Sequence, residues 1–295
     1  MKKYYLLVNP KGGHKRGLEI YEKVKHIFSS AGTNITVLHT EYAGHAFDFA
    51  KTLDFVGYDG LCAIGGDGTM YELINGMLKR DDNHKIPIGL ITGGTGNSFM
   101  YDVDCLDPVD AAKRIVQHKL RPLDIAKVNA NGELFYSFNI IGWGLATDAG
   151  KLAEKLRWLG GVRYDVASII EVLKGKDRIA TLTLDKEVIK ENFIFIIGCN
   201  TIHTGKAMKM APLAQLNDGK IDLIIVRKTS RINLLKLFPK LFSGDHIKSP
   251  LVEYRQVQNF SISLEETNDL TIDGEIIGTT PLNVQMVPKM VNVLV

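Results

Sequence analysis

The stretch Ala63-Ile64-Gly65-Gly66-Asp67-Gly68-Thr69 ends an apolar run in a glycine-rich turn, and Met70-Tyr71-Glu72-Leu73-Ile74-Asn75 opens a helical pattern directly after it. Glycines let the backbone adopt positive φ angles and let a ligand approach closely. The free N–H groups of the first helical turn then face that ligand, and the helix dipole favours an anion. The alternative is a structural turn with Asp67 or Thr69 as the helix cap. We interpret the stretch as a phosphate-binding turn.

Asp67 stands in the centre of this turn, where a carboxylate would repel a phosphate. A Mg²⁺ ion between the two groups removes the repulsion. Two more glycine-rich turns end strand-like runs, Asn9-Pro10-Lys11-Gly12-Gly13 and Gly93-Gly94-Thr95-Gly96-Asn97. Each of these also fits a purely structural turn. Because the ligand crevice of an α/β sheet lies at the carboxyl ends of its strands, the three turns together would surround a polyphosphate.

The first 120 residues alternate short apolar runs with helical patterns, which predicts a parallel sheet covered on both faces. The predicted strands are 4–8, 35–39, 61–64 and 88–92. The predicted helices are 16–30, 44–54, 70–80 and 108–118.

Beyond residue 123 the strand candidates follow one another closely and are joined by short polar turns, as in antiparallel hairpins. They are 124–128, 134–141, 180–184, 193–200, 221–226, 257–264, 270–272, 282–287 and 291–295, with helical patterns near 146–175 and 232–242. We therefore predict an α/β domain over 1–123 and an antiparallel β-sandwich domain over 124–295. The last strand or two could return to the first domain. We expect the active site in the cleft between the domains.

Composition and charge narrow the class of protein. With 45% hydrophobic and 23% charged residues, the chain is globular, which excludes disorder, collagen and a coiled coil. A net charge of +3 does not require a nucleic-acid partner but fits anionic ligands or an anionic membrane. No apolar run reaches the ~18 residues of a membrane-spanning helix, and the apolar start ends too early for a signal peptide, so we expect a cytoplasmic protein. A P-loop, a complete dinucleotide fingerprint and a G-x-S-x-G elbow are missing from the sequence.

Several motifs match one family pattern. In the first domain they are Asn9, Pro10 and Gly13, with Gly12 in place of the usual Ser; Thr40 to Ala46; Gly65 to Thr69 with Glu72 and Asn75; and Gly94 to Asn97. They resemble the diacylglycerol kinase catalytic-domain superfamily, which includes bacterial lipid kinases, sphingosine kinases and ceramide kinases. The resemblance covers essentially the whole chain. It implies that ATP is bound by Asn9, Pro10, Gly13, Thr40, Gly65, Gly66, Asp67, Gly68, Thr69, Glu72, Gly94, Thr95 and Asn97, and that Asp67 also serves catalysis by orienting phosphate-bound Mg²⁺.

The second domain extends the resemblance. Its matching motifs are Asp124 in a basic-apolar-Asp stretch, Asn139 to Asp148, Arg163-Tyr164, Ala211-Pro212 with Leu216 to Leu223, and Asp273-Gly274-Glu275. The resemblance implies that Glu275 is the general base. It also implies a Mg²⁺ site formed by the Asp218 carboxylate and the main-chain oxygens of Gln215 and Lys220. Asp273 and Glu275 stand on a turn, so we expect both to point into a cleft, the alternative being a plain hairpin with solvated carboxylates.

The function that the resemblance implies is an ATP- and Mg²⁺-dependent lipid kinase of phospholipid metabolism, acting on a hydroxyl of a diacylglycerol or a sphingoid-type lipid. A positioned carboxylate base would accelerate such a transfer by ~10²–10⁴-fold. An NAD kinase-like enzyme, which shares Gly-Gly-Asp-Gly-Thr, and a non-catalytic nucleotide-binding regulator are the alternatives. We expect the lipid partner at a membrane surface and peripheral membrane association, and a homodimer stays open.

Two elements could contact that membrane. Residues 231–242 place apolar side chains around Lys236, Lys240 and Pro239. Packing of this helix against the β-rich domain is the favoured interpretation. Trp158, near Lys155 and Arg157, is the second candidate.

Overall fold

The structure, a computed structural model, describes residues 1–10, 16–94, 96–205 and 207–295. These residues divide into two compact units. The first contains 1–125 together with 289–295, and the second contains 126–288.

The first unit has a parallel sheet with helices between its strands. Its strands are β1 (Lys3–Val8), β2 (Asn34–His39), β3 (Gly60–Gly65) and β4 (Ile88–Thr92). Its helices are α1 (Gly17–Ser30), α2 (His45–Thr52), α3 (Asp67–Leu78), α4 (Ser98–Asp102) and α5 (Pro108–Val116). The strand order is β4-β3-β1-β2, and all three pairings are parallel. Strands β3 and β4 are buried along their whole length, as expected for a sheet covered on both faces.

The second unit is built from antiparallel strands, the first of which begins at Leu120 in the first unit. They are β5 (Leu120–Ala130), β6 (Glu133–Ser137), β7 (Ile140–Gly144), β8 (Arg178–Leu184), β9 (Glu187–Cys199), β10 (His203–Thr204), β11 (Met208–Lys209), β12 (Ile221–Arg227), β13 (Glu253–Val257), β14 (Asn259–Ser263), β15 (Asp269–Ile272), β16 (Glu275–Thr279) and β17 (Leu282–Leu294). The order β16-β15-β7-β9-β8-β14-β17 forms its main path, and β12 pairs with β9 and β13. The predicted fold class, a parallel α/β part followed by an antiparallel β-rich part, is confirmed.

Strand β17 begins in the second unit and ends in the first. Its last residues, Val293 and Leu294, pair in parallel with Ile88 and Gly89 of β4. The backbone N–H of Lys289 donates to Asp124 Oδ1 over 2.6 Å, and Asp124 is completely buried. Residues 289–295 therefore complete the sheet of the first unit.

Helices of 4 to 12 residues lie between the strands of the second unit. They are α6 (Leu145–Lys155), α7 (Arg163–Lys174), α8 (Arg231–Leu237) and α9 (Lys240–Ser243), with a 3₁₀ helix over Arg157–Val162 before α7 and another over Asp245–Lys248. The single pattern predicted over 232–242 is broken at Pro239, which cannot donate a helical hydrogen bond. Within the described parts of the chain, no helix is both long and apolar enough to cross a membrane.

Some predicted boundaries were wrong. The run 134–141 forms two strands, β6 and β7, and the two runs at the C-terminus form one strand, β17. Strand β16 and helix α4 were not predicted, because each is only five residues long and has a weak pattern.

Candidate active site

The turns after β3 and β4 are locked together by backbone contacts. The carbonyl oxygen of Gly65 accepts hydrogen bonds from the N–H groups of Gly93 at 2.8 Å and Gly94 at 3.0 Å. A Cβ atom on Gly94 would lie only 2.5 Å from Cα of Gly66. The close approach of the two turns therefore requires glycine at positions 66 and 94. This requirement is independent of any ligand that the turns bind.

Asp67, the first residue of α3, ties the same two turns together through its side chain. Its Oδ2 accepts from the N–H of Ser98 at 2.7 Å, and its Oδ1 accepts from the N–H of Phe99 at 3.2 Å. Asp67 thus caps α4, a partner distant in sequence. Burial raises the pKa of this carboxyl, while the hydrogen bonds from Ser98 and Phe99 act in the opposite direction.

Glu72, one turn further along α3, performs a similar task for another segment. Its Oε1 and Oε2 accept from the N–H groups of Gly44 and Ala46, each at 3.1 Å. These N–H groups belong to the start of α2, so Glu72 caps that helix. The segment that contains Thr40 is thereby held against α3.

A cavity of about 360 Å³ lies beside these turns. Its lining comprises Leu7, Asn9, Thr40, Glu41, Tyr42, Ala43, Ala46, Ile64, Thr69 and Glu72. Four of the residues predicted to bind the nucleotide therefore lie together around one cavity: Asn9, Thr40, Thr69 and Glu72.

The other predicted nucleotide residues are placed as follows. Pro10 directly follows Asn9; Gly65, Gly66, Gly68, Gly94 and Asn97 form the interlocked turns; and Gly13 and Thr95 lie outside the described residues. Asn97 donates from Nδ2 to the carbonyl oxygen of Gly94 at 2.9 Å. Its Oδ1 is buried and has no hydrogen-bond partner among the described residues, so this site fits a ligand that can donate a hydrogen bond.

Six residues of the cavity wall were not predicted to bind the nucleotide, and two of these, Glu41 and Tyr42, have polar side chains. The Tyr42 ring stacks on His45 with the ring centroids 4.2 Å apart, and its hydroxyl donates to Asp48 at 2.8 Å. Tyr42 is 56% exposed. An aromatic residue beside the predicted nucleotide contact Thr40 was the available signal in the sequence.

In the Asp-Gly-Glu turn of the second unit, the prediction that Asp273 points into a cleft is wrong. This side chain is buried and does not point into a cleft. Its Oδ1 accepts from the Ser137 hydroxyl at 2.7 Å and from the N–H groups of Asn139 and Ile140, each at 2.9 Å, and its Oδ2 accepts from the N–H of Phe138 at 3.0 Å. Burial raises the pKa of Asp273 from 3.8 to about 6, although these four hydrogen bonds favour the charged form.

Glu275 is the first residue of β16 and is exposed. It stands opposite Ile272 in the β15–β16 hairpin, with Asp273 and Gly274 as the two turn residues between them. Both turn residues have positive φ angles, 51° and 94°. Asp273 therefore fixes the turn from the inside, and Glu275 is exposed on the outside.

The loop predicted to hold Mg²⁺ carries oxygen donors that suit this ion. Asp218 is half-buried, and its Oδ1 accepts the N–H of Lys220 at 3.0 Å. Gln215 and Lys220 are exposed on the same loop. Among the described residues no group of three or more His, Cys, Asp or Glu side chains is arranged for a metal. One carboxylate with main-chain carbonyls and water still fits Mg²⁺, which keeps several waters in proteins.

Both parts of the chain match family models. Residues 3–128 match the diacylglycerol kinase catalytic domain, and residues 139–295 match the YegS C-terminal NAD kinase beta sandwich-like domain. The chain belongs to the diacylglycerol kinase catalytic-domain superfamily, as the sequence motifs indicated. Membership of this superfamily makes the chain an ATP-dependent lipid kinase.

Individual relatives agree with this family. Sphingosine kinase 2 of Arabidopsis thaliana is 30% identical over 94% of this chain and 69% of its own length. Diacylglycerol kinase of Bacillus subtilis is 27% identical over 95% of this chain and 92% of its own length. A crystal structure of a putative diacylglycerol kinase from Bacillus anthracis str. Sterne has the same fold, with a TM-score of 0.83 at 23% identity over 99% of this chain and 97% of that one.

Proposed function

We propose that this chain transfers the γ-phosphate of ATP to a hydroxyl of a membrane lipid, either a sphingoid base or a diacylglycerol, with Mg²⁺. The cavity in the first unit is the observation that carries the proposal. Asn9, Thr40, Thr69 and Glu72 line it, and the N-terminus of α3 stands beside it. A helix N-terminus favours phosphate, and Asn97 Oδ1, which has no hydrogen-bond partner in the described parts of the chain, offers an acceptor to a ligand hydroxyl or amine.

Glu275 is the proposed general base. Phosphoryl transfer depends on positioning and charge neutralisation, and a lipid hydroxyl is a weak nucleophile until its proton is accepted. The Glu275 carboxylate would take this proton as the hydroxyl oxygen bonds to the γ-phosphorus and the bond from that phosphorus to the ADP oxygen breaks. Its solvent-exposed position leaves the carboxylate accessible to a substrate. The expected location of the active site between the two domains stays a prediction.

Mg²⁺ is proposed at two places. Asp67 would orient the ion carried by the ATP phosphates, and Asp218 would hold a second ion together with the main-chain oxygens of Gln215 and Lys220. When bound, such an ion neutralises phosphate charge or stiffens the loop that holds it. Asp67 already accepts the Ser98 and Phe99 amides and the Ser98 hydroxyl, which leaves about one of the four lone-pair sites of its carboxylate for an ion.

The acceptor class is open between two lipids. The relatives named sphingosine kinase and diacylglycerol kinase support a sphingoid base and a diacylglycerol, respectively. The motif Gly142-Trp143-Gly144 resembles the version found in sphingosine kinases. Its Trp143 side chain is completely buried, so it gives no information about the acceptor.

Phosphate transfer from labelled ATP to a lipid panel tests the proposal. The panel contains diacylglycerols, sphingoid bases, ceramides and phosphatidylglycerol, with NAD as a separate acceptor. Labelled lipid is the expected product. Labelled NADP would support the NAD kinase alternative, and ATP binding without any product would support the non-catalytic regulator.

The second Mg²⁺ site has a test that does not depend on activity. We expect MgCl₂ to raise the unfolding temperature of the protein without ATP, and Asp218→Asn to abolish this shift. Asp81→Asn, which removes an exposed carboxylate from a loop of the first unit, is the control. An equal shift in both variants would contradict the assignment of Asp218.

Two further predictions concern the assembly. We propose that the enzyme is a peripheral membrane protein of the cytoplasm, because its acceptor is a lipid. A homodimer stays a prediction, which sedimentation equilibrium would test.

A further inference from the structure

Helix α7 exposes an apolar stripe. Val166 is half-buried, and Ile169, Ile170 and Leu173 are exposed; their spacing places the four on one face of the helix. The opposite face carries the buried residues Ala167, Glu171 and Val172. The 3₁₀ helix that leads directly into α7 adds Val162 and Trp158, and the Trp158 side chain is 77% exposed.

Helix α8 repeats this arrangement. Leu234 and Leu237 pack into the core that also contains Val172 of α7, so both helices lie against the same core. Ile232 and Leu235 are exposed on the other face, and Ile232 is 64% exposed. The favoured interpretation of this helix, packing on the β-rich domain, therefore describes only one of its faces.

The outer faces of the two helices are adjacent. Arg231, at the start of α8, donates from Nη2 to the carbonyl oxygen of Lys174 at the end of α7, over 3.2 Å. We name the combined area the α7–α8 surface; its apolar members are Trp158, Val162, Ile169, Ile170, Leu173, Ile232 and Leu235.

Basic side chains dominate the exposed charges around this surface, and the exposed Asp245, just after α9, pairs with Lys248. Within 151–179 and 230–243, where the structure describes every charged side chain, the exposed ones are all basic: Lys155, Arg157, Lys174, Lys176, Arg231, Lys236 and Lys240. The acidic side chains there are half-buried or buried. Glu154 pairs with Arg157 and Arg163, Glu171 with Lys174 at 2.5 Å, and Asp177 with Lys228 at 3.1 Å.

We propose that the α7–α8 surface docks the enzyme on a bilayer that contains anionic phospholipids. Apolar side chains within a basic border match a bilayer, whose anionic headgroups attract the lysines while its acyl region accepts the apolar groups. Tryptophan also favours the membrane–water interface. A protein partner fits less well, because lysine is depleted at protein interfaces. The role of this docking, which is to bring the kinase to its lipid acceptor, rests on the proposed function; the docking itself does not.

Co-sedimentation with vesicles, without ATP, tests the surface directly. We expect the full chain to bind vesicles of phosphatidylcholine mixed with phosphatidylserine and to bind vesicles of phosphatidylcholine alone much more weakly. Ile169→Ser/Leu173→Ser should weaken binding by at least about tenfold, because two side chains leave the acyl region. Lys176→Gln/Lys236→Gln should weaken binding to the anionic vesicles by about fivefold for each charge.

Matched variants control for general changes of the surface. Val56→Ser/Val188→Ser removes two aliphatic side chains that are 73% and 65% exposed elsewhere in the chain. Lys186→Gln/Lys190→Gln removes two exposed charges of the β8–β9 hairpin. Both controls should bind vesicles as the unchanged protein does, and a loss equal to that of the α7–α8 variants would overturn the proposal.

Tryptophan fluorescence provides a second measurement at the surface itself. The chain has two tryptophans, and Trp143 is completely buried. Anionic vesicles should shift the emission of Trp158 to shorter wavelength, and brominated acyl chains should quench it. Trp158→Phe should remove both signals while the protein still sediments with vesicles. Signals that persist in this variant, or binding without any Trp158 signal, would overturn the proposal.

Activity assays separate this proposal from the proposed function. The α7–α8 variants should keep normal turnover on a short-chain acceptor in detergent micelles but lose it on vesicle-embedded lipid. Full vesicle binding by the α7–α8 variants would overturn the docking surface and leave the kinase assignment intact. A protein that binds vesicles through this surface but phosphorylates no lipid would contradict the kinase assignment alone. Self-association that depends on Ile169 and Leu173, without vesicle binding, would identify a protein interface and overturn the docking surface.

Discussion

Asp67 of the first unit and Asp273 of the second unit belong to the two motifs from which catalysis was predicted. Both side chains accept hydrogen bonds from main-chain N–H groups and so fix the local backbone. Asp67 accepts two main-chain N–H groups from α4. Asp273 accepts three main-chain N–H groups and one hydroxyl from residues 137–140. Asp273 is buried at 6% exposure, whereas Asp67 is only half-buried.

This difference in burial distinguishes a carboxylate that serves only the fold from one that can also contact a ligand. Asp273 is buried and its oxygens accept four hydrogen bonds, so we assign the chemistry of its motif to Glu275. Asp67 can both hold the turns and face a ligand. A charged residue in a glycine-rich motif therefore needs its hydrogen-bond partners counted before it is assigned to catalysis.

The largest expected effect belongs to Glu275. We expect Glu275→Gln to lower turnover by about 10²–10⁴-fold, because the amide accepts no proton from the lipid hydroxyl. ATP affinity should stay unchanged. Steady-state kinetics and ATP titration measure the two quantities, and Glu265→Gln, an exposed glutamate before β15, is the control. Loss of ATP binding with normal residual turnover would exclude Glu275 as the base.

The pH dependence of stability isolates Asp273. Its folded-state pKa of about 6 lies above the ordinary 3.8, so the folded state binds this proton more tightly than the unfolded state does. The resulting stabilisation is complete below about pH 4 and is lost as the pH rises through about 6. The difference in unfolding free energy between the unchanged protein and Asp273→Asn should therefore widen by as much as ~3 kcal/mol from pH 7 to pH 4.

Urea unfolding at several pH values measures this difference. Asp269→Asn, at the start of the preceding strand β15, changes a carboxylate that has 42% side-chain exposure and pairs with Lys151, and it should show no such widening. A constant gap between the unchanged protein and Asp273→Asn across this range would show that Asp273 does not titrate with a raised pKa.

The contact between the interlocked turns predicts the effect of Gly94→Ala. The new Cβ would lie 2.5 Å from the Gly66 backbone, so the turns must separate. We expect a loss of about 1–3 kcal/mol in stability together with weaker ATP binding. Gly150→Ala, where a Cβ meets only the tip of Ile276 at 3.0 Å, is the control, and thermal unfolding with ATP titration measures both effects. Unchanged ATP binding by Gly94→Ala would show that this contact does not shape the nucleotide site.

Asp67→Asn should have the smallest effect on stability, about 1.5 kcal/mol, because its amide oxygen can still accept one N–H group. Turnover distinguishes the two tasks of Asp67. If it also orients phosphate-bound Mg²⁺, turnover at saturating ATP falls beyond what the loss of stability explains. Normal turnover at saturating ATP would limit Asp67 to holding the turns together.

Much of the first unit could be predicted, because its signals are local. Alternating apolar runs and helical patterns placed four strands and most helices within a few residues of their observed bounds. Helix α3 begins at Asp67, three residues before the predicted start, because the glycine-rich turn runs directly into it. Gly13 and Thr95 lie outside the described residues, so their binding of the nucleotide stays a prediction.

The contacts of the candidate site could not be predicted, because their partners are distant in sequence. The N–H groups that Glu72 caps stand 26 and 28 residues before it. The burial of Asp273 depends on the pairing of β15 with β7 and on hydrogen bonds from residues 133 to 136 positions before it. Periodicity reports which side of an element is apolar but does not identify the neighbouring element.

By itself, the sequence determined the fold class, the superfamily and the motifs, because glycine-rich turns, strand-helix alternation and Asp-Gly-Glu are local features. The tertiary structure decided which of these carboxylates hold backbone and which face solvent. It also decided that α7 and α8 share one core and leave their outer faces apolar and basic. Both outcomes depend on which strands and helices are neighbours, and burial and hydrogen bonding are fixed by those neighbours rather than by the residue alone.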